Sequence, residues 1–165
     1  MFWFALLVLV LVELTFAAHA VGEVPEDLPS LLLNGIRPGQ DVTGIVESLR
    51  AKRLSIQSRN RVLVVRDPRE RSYLLLIAHK DGLVQGAYTT TPSLTVDGEQ
   101  CACDFKAACF KSKILPFQSA VRTENEWQRV YFDQIELMLL KQGSTVEAAM
   151  IGPRSLEQVF RTLWK

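Results

Sequence analysis

The sequence contains few of the residues and motifs on which enzyme active sites are commonly built. It has two histidines, His19 and His79, and no Cys-x2-Cys pair of the kind found in redox dithiols. It also lacks a glycine-rich phosphate loop, a His-Glu-x2-His zinc motif, a calcium loop and an Asn-x-Ser/Thr sequon. These absences disfavour nucleotide-dependent enzymes, metalloenzymes and dithiol oxidoreductases. We therefore expect no cofactor and no bound metal, and we assign no catalytic residue.

The first 20 residues have the features of a cleavable export signal. Phe2 to Val12 is almost wholly apolar, and Ala18-His19-Ala20 fits the small-x-small rule of signal peptidases. We predict cleavage after Ala20, although no Lys or Arg precedes the apolar run and Glu13 follows it closely. The alternative is a membrane tether at residues 2–17, but the apolar run is shorter than the roughly 20 residues that a spanning helix needs. We therefore expect a secreted or periplasmic protein.

The chain that remains after cleavage is long enough for one hydrophobic core. Residues 21–40 are rich in Pro, Gly and acids, which predicts an extended lead-in pinned to the core by Leu31 to Leu33. Residues 41–165 are expected to form a single α+β domain. Cleavage removes one acid, Glu13, so the net charge rises from +1 to +2 with neutral histidine. This charge indicates solubility, and we expect no nucleic-acid partner.

Three cysteines, Cys101, Cys103 and Cys109, lie in one short stretch. Export predicts a local disulfide and one remaining thiol, within a cross-linked loop or irregular strand from Glu99 to Gln118. Both Cys103 to Cys109 and Cys101 to Cys109 are candidate pairs, whereas Cys101 and Cys103 are poorly placed to bridge. A metal held by the cysteines with His79 or Asp104 is a lesser alternative, because the spacing differs from that of structural zinc sites.

The hydrophobic pattern predicts a helix followed by an antiparallel meander. Asp41 can cap a short helix that carries apolar residues from Val42 to Leu49 at helical spacing. Turn residues such as Asp81-Gly82 separate four runs of strand character. The predicted strands are Arg61 to Arg66, Ser72 to His79, Leu83 to Thr89, and Ser93 to Asp97. Tyr73 to Ala78 is apolar without alternation, so this strand should be central and buried on both faces, under a helix.

Two helices and a strand are predicted in the C-terminal third. Thr123 and Glu126 form a capping-box pattern before a helix that ends at Gly143. One face of that helix is formed by Trp127, Tyr131, Ile135 and Met138. Thr145 to Ile151 is expected to return to the sheet, and Ser155 and Gln158 form a second capping box before a final helix. The predicted fold is α+β, with an antiparallel β-meander sheet packed by two C-terminal helices and a short N-terminal helix.

The first predicted hairpin is strongly basic. Its arginines are Arg59, Arg61, Arg66, Arg69 and Arg71, and only Asp67 and Glu70 offset them. If these side chains share a face, a lipid headgroup, a glycan sulfate or an acidic protein surface could dock there. Strand alternation and turns could instead scatter them into a solvated rim, partly paired with the acids of residues 124–136.

Several short features follow one another in the second half of the chain, from Leu74 onward. They are Gly82-Leu83, Ser93-Leu94-Thr95-Val96-Asp97-Gly98, a cysteine pair at Cys103 and Cys109, Leu139-Leu140-Lys141-Gln142-Gly143, and Ser155-Leu156. Their order resembles the bacterial invasion-associated locus B family of exported proteins. The first half lacks that family's cysteines and its tryptophan-containing opening strand. The resemblance implies a periplasmic or surface-associated accessory protein with no known active site.

These features predict an exported, non-enzymatic interaction or accessory domain that binds an anionic surface or a protein partner. Two other functions are compatible with the sequence. One is a small secreted hydrolase in which His79 activates a Ser or Cys brought near by folding. The other is a subunit of an envelope or secretory assembly, tethered to the membrane by an uncleaved N-terminal segment.

Overall fold

The computed structural model describes residues 27–163. The predicted export signal, its cleavage site and the alternative membrane tether lie outside the described residues. Within the described range the chain forms an α+β fold that consists mostly of antiparallel β-sheet with a few short helices. No helix in this range is both long and apolar enough to cross a membrane.

Strands account for most of the regular structure between residues 27 and 163. In chain order they are β1 (Leu31–Leu33), β2 (Ser55–Arg59), β3 (Val62–Asp67), β4 (Glu70–Lys80), β5 (Leu83–Thr89), β6 (Leu94–Val96), β7 (Glu99–Cys101), β8 (Ala120–Glu124), β9 (Trp127–Phe132), β10 (Leu137–Gln142) and β11 (Thr145–Ile151). The helices are α1 (Val42–Ala51), α2 (Ala108–Lys113) and α3 (Leu156–Arg161), with 3₁₀ turns at Leu115–Phe117 and Asp133–Ile135.

The larger sheet consists of two antiparallel meanders joined side by side. Its eight strands have the order β2-β3-β4-β5-β11-β10-β9-β8. The first meander is β2 to β5 and the second is β8 to β11. They join where Ala87, Tyr88 and Thr89 of β5 pair with Ile151, Met150 and Ala149 of β11. A smaller sheet of three strands, β1-β6-β7, packs against one face.

Successive residues of β4 contribute to two hydrophobic clusters on opposite faces of the large sheet. Leu75 and Ile77 pack in the larger cluster, together with residues of α1, α2 and the small sheet. Leu74 and Leu76 pack in the second cluster, which includes Phe160 of α3. The prediction that Tyr73 to Ala78 is buried on both faces is confirmed for Leu74 to Ala78, whereas Tyr73 is half-buried.

The start of the described chain follows the sequence prediction closely. Leu31 and Leu33 are buried in the larger cluster and fix the lead-in to the core. Asp41 caps α1, and its carboxylate accepts hydrogen bonds from the backbone N–H groups of Thr43 and Gly44 at 3.3 and 3.4 Å. The strands predicted at Leu83 to Thr89 and Thr145 to Ile151 are present with the same limits.

The helix predicted from the Thr123 capping box to Gly143 is wrong. This segment forms β8, β9, a 3₁₀ turn and β10. Asn125 takes a left-handed φ of 56° in the two-residue turn between β8 and β9, which prevents the capping box from forming. Of the two C-terminal helices expected to pack on the sheet, the described residues therefore contain one, α3.

Three smaller predictions are also corrected. The strand at Ser93 to Asp97 is shortened to β6 and leaves the meander, because it pairs with β1 and β7 in the small sheet. Glu99 to Gln118 is more regular than expected, since it contains β7, α2 and a 3₁₀ turn. Ser155 precedes α3 but makes no side-chain capping hydrogen bond, so the second capping box is absent although the helix is present.

Candidate functional site

The five arginines of the basic hairpin lie at two opposite ends of the first meander. Arg59 ends β2, and Arg61 lies in the two-residue turn between β2 and β3, where Asn60 and Arg61 have φ values of 46° and 64°. Left-handed values at both positions suit a two-residue hairpin turn. Arg66, Arg69 and Arg71 lie at the other end, around the turn between β3 and β4. The length of β3 separates the two groups by roughly 15–20 Å, so they do not form one continuous patch.

Arg69 is neutralised within the β3–β4 turn. Its Nε and Nη2 donate hydrogen bonds to Oδ1 and Oδ2 of Asp67 at 2.9 and 2.8 Å, and its backbone N–H donates to Oδ1 at 2.9 Å. The side-chain hydrogen bond lowers the pKa of Asp67 below its usual value and raises that of Arg69. This bidentate pair is a contact within the turn.

A concavity of ≈ 380 Å³ opens beside the same turn. It is lined by Ser55, Arg66, Asp67, Pro68, Glu70, Arg71 and Tyr73. The pairing of β2 with β3 brings Ser55 directly opposite Arg66. Among residues 27–163, neither Arg66 nor Arg71 has an acidic partner within ion-pair distance. Strand alternation places Arg66 on the face of the second cluster, with its partner Leu74, whereas Tyr73 packs on the face of the larger cluster.

The remaining polar groups of this concavity are held in place by nearby residues. Glu70 accepts a hydrogen bond from the hydroxyl of Ser72 at 3.1 Å. Tyr73 is half-buried and packs against the larger hydrophobic cluster. Burial raises the pKa of Tyr73, and a side-chain hydrogen bond with Asn34 acts in the opposite direction.

His79 lies near the end of β4, away from this turn. Its backbone N–H donates to the carbonyl of Arg61 at 2.9 Å, while its buried Nε2 has no hydrogen-bond partner among the described residues. A histidine that activates a nucleophile is hydrogen-bonded to it, or comes close to that distance. The described part of the chain thus supplies no Ser or Cys hydroxyl or thiol bonded to His79.

The structure selects one of the two candidate disulfides. Cys101 and Cys109 are bonded, with their Cα atoms 5.7 Å apart, and Cys103 is a free thiol. The pair suggested by the family resemblance, Cys103 with Cys109, does not form. Burial, followed by the charge of Asp104, raises the pKa of Cys103 to about 12. In residues 27–163 no group of three or more His, Cys, Asp or Glu side chains is placed to hold a metal ion.

Ser55 and Tyr73 line the concavity but were not anticipated as site residues from the sequence. Ser55 lies on β2, a strand that the hydrophobic pattern does not reveal, and Tyr73 was predicted only as part of a buried strand. The Asp67-Pro68 turn is the one local signal that marks this end of the meander. The chain matches no protein-family model, no curated protein and no solved structure.

Proposed function

We propose that the protein is an exported, non-enzymatic accessory domain that binds an anionic partner through the arginines of its first meander. The observation that carries this proposal is the state of those arginines. All five are exposed. Of these five, only Arg69 has an acidic partner at ion-pair distance in the described chain. The other four are available to a ligand.

The chemistry of arginine supports an anionic partner. A guanidinium presents several N–H donors in one plane, which match the oxygens of a carboxylate, sulfate or phosphate. Four such groups without internal partners attract anions during approach and form charge-assisted hydrogen bonds on contact. Arg129, by contrast, is paired with Glu124 and Glu157.

Two further observations support export and the absence of catalysis. The disulfide between Cys101 and Cys109 is typical of proteins that fold in an oxidising compartment. His79 is the histidine on which a secreted hydrolase would depend, and its Nε2 contacts no described hydrogen-bond partner. A binding domain needs neither a nucleophile nor a base, so this arrangement favours binding over hydrolysis.

The proposal is tested by replacing Arg59, Arg61, Arg66 and Arg71 with Ser together. Binding to immobilised heparin is measured as a function of NaCl concentration. We expect the variant to elute at lower salt and to show a shallower dependence of affinity on salt, because fewer ionic contacts form.

The matched control replaces four exposed basic residues elsewhere, Arg37, Arg50, Lys106 and Lys111, with Ser. This variant has the same net charge as the test variant. Equal losses in the two variants would show that only overall charge matters, and the proposal would then be wrong. Unchanged binding of the test variant would also overturn it.

A further inference from the structure

We infer that the partner binds at the free edge of β2, and that it is an extended acidic segment of another protein. β2 is the outermost strand at one side of the large sheet and pairs with β3 alone. Four of its five residues are exposed. The inference rests on the proposed function and narrows its anionic partner to a polypeptide that adds a strand to the sheet.

The backbone of β2 presents hydrogen-bonding groups to solvent at alternate residues. Arg59 and Val62 close the two-residue turn, so their backbone groups bond to each other, as do those of every second pair along the ladder. The N–H and C=O groups of Ile56 and Ser58 therefore point away from β3. Neither residue makes a backbone hydrogen bond to another described element. Such an edge matches the backbone of an extended polypeptide, whereas a polysaccharide or a lipid surface has no corresponding repeat.

β2 lacks the features that protect an exposed sheet edge from pairing. Natural proteins use proline, bulges or charged side chains within the edge strand for this purpose. β2 contains no proline, its register with β3 is continuous, and its one charged residue, Arg59, lies at its end. The strand at the other side of the sheet, β8, has Arg122 at its centre. β2 is therefore the edge that is more open to another strand.

The charges that flank β2 select an acidic partner. The sequence from Lys52 to Arg66 contains five basic residues and no acid. All five are exposed, and none has an ion-pair partner among residues 27–163. Lys52, Arg53 and Arg66 lie at the start of the strand, and Arg59 and Arg61 lie at its end. Carboxylates on an added strand can form charge-assisted hydrogen bonds at both ends.

The same charges disfavour two other occupants of this edge. Antiparallel pairing of two β2 strands about a two-fold axis would bring Arg53 of one copy near Arg59 of the other, and like charges on neighbouring strands are destabilising. A membrane surface usually takes up apolar side chains beside the basic ones. None of the large apolar side chains exposed in the described chain lies between Lys52 and Arg66.

The first test blocks the edge with proline. Ser58→Pro removes an N–H that points to solvent and leaves the ladder with β3 in place. Thr123→Pro is the matched control, because Glu124 and Trp127 close a two-residue turn and place Thr123 in the same position on β8. The probe is an end-blocked peptide of about ten residues that alternates glutamate and threonine, and its binding is measured by calorimetry at fixed salt. We expect Ser58→Pro to weaken binding at least about tenfold and Thr123→Pro less than about twofold, because only the first removes a backbone partner of the peptide.

Modified peptides test the same contact on the unchanged protein. A peptide N-methylated at every residue keeps its carboxylates but has no N–H group with which to pair. We expect its affinity to be at least about tenfold lower than that of the parent peptide. Replacement of glutamate by lysine should abolish binding, because the flanking residues are basic. If the methylated peptide binds as tightly as its parent, the inference is wrong whether or not Ser58→Pro folds.

The outcomes separate this inference from the proposed function, because heparin binding depends on charge and peptide binding also depends on the strand edge. Ser58→Pro should leave heparin binding unchanged. Loss of heparin binding in the quadruple arginine variant, without measurable binding of the acidic peptide to the unmodified protein, would reject the added strand and keep the anionic surface. A dimer that Ser58→Pro separates would identify a second copy as the occupant and overturn the inference. If the quadruple variant loses neither heparin nor peptide binding, both proposals are wrong.

Discussion

Burial sets the reactivity of the single free cysteine in the described chain. Cys103 is two residues from the bonded Cys101, yet its thiol lies against the larger hydrophobic cluster. Desolvation disfavours the thiolate and raises the pKa of this thiol to about 12. Since the thiolate is the nucleophile, the folded protein should keep Cys103 from reacting with the neighbouring disulfide.

We predict that iodoacetamide alkylates Cys103 at least about a hundredfold more slowly in the folded protein than in urea at pH 8, because an ordinary thiol has a pKa of about 8.5. The folded protein's rate should continue to rise with pH above 9, where that of the unfolded chain levels off. Alkylation is followed by mass spectrometry. Equal rates in the two states would mean that the thiol is not shielded.

The raised pKa of Cys103 also predicts how the free energy of unfolding depends on pH. The folded state holds Cys103 as the neutral thiol, and its pKa is raised relative to the unfolded chain. The stabilisation that the Cys103 thiol contributes is therefore fully present below its unfolded pKa near 9. It is lost as the pH rises toward the folded pKa of about 12. Tyr88, whose pKa burial also raises to about 12, acts in the same direction.

The candidate site could be predicted from the sequence only in part, and the reason lies in its individual residues. The arginines were visible as a local excess of charge. Ser55 was not visible in this way. Only Ile56 of β2 packs against the core, so the strand shows no hydrophobic alternation. The division of the arginines into two groups depends on strand pairing, which brings together residues that are distant in sequence.

Among the elements, the junction between the two meanders depends on two glycines. A Cβ atom on Gly86 of β5 would lie 2.5 Å from the carbonyl oxygen of Ile151 and 2.6 Å from Cδ1 of Leu156. Gly152 follows β11 with a φ of 120°, and its Cβ would lie 2.9 Å from Cα of Gly86. The two backbones approach closely only because neither residue has a side chain. This contact lets α3 pack beside the junction.

We predict that Gly86→Ala destabilises the protein by about 1–3 kcal/mol, the usual cost of forcing extra atoms into a packed region. Urea unfolding measured by circular dichroism gives this value. The control is Gly44→Ala in α1, where a Cβ atom meets nothing within 4 Å. Because alanine is the better helix former, this change should stabilise by up to about 1 kcal/mol. A loss below about 0.5 kcal/mol for Gly86→Ala would show that the junction can relax.

The segment from Thr123 to Gly143 shows why the second meander could not be predicted. Trp127 and Tyr131 are four residues apart, a spacing that places side chains on one face of a helix and also on one face of a strand. Met138 then pairs directly with Tyr131 across β9 and β10. Left-handed residues lie in the connections before and after β9, at Asn125 and Glu136, with φ values of 56° and 49°. Neither residue is glycine, so the sequence does not mark the turns strongly.

The whole molecule is held together by its two hydrophobic clusters, and the larger one gathers most of the separate elements. It contains residues of the small sheet, α1, α2 and both meanders. Phe110 of α2 is fully buried within it, with ring centroids 4.8 Å from Phe105 and 6.1 Å from Phe132 of β9. The residue before Phe110 is Cys109, whose disulfide to Cys101 connects α2 to β7. The disulfide therefore joins the small sheet to the helix that packs over the second meander.

Removing this disulfide should weaken the packing of those layers without changing the first meander. For a sequence separation of 8, the chain-entropy estimate gives about 2.5 kcal/mol of stabilisation. We predict that Cys101→Ala with Cys109→Ala lowers the free energy of unfolding by that amount and Tm by about 5–10 °C. Cys103→Ala is the matched control and should cost less than about 1 kcal/mol, because this cysteine forms no cross-link. Heparin binding should survive in both variants, since the arginines of the first meander lie on β2, β3, β4 and the turns between them. Loss of binding in the disulfide variant while it remains folded would mean that the small sheet helps to form the site.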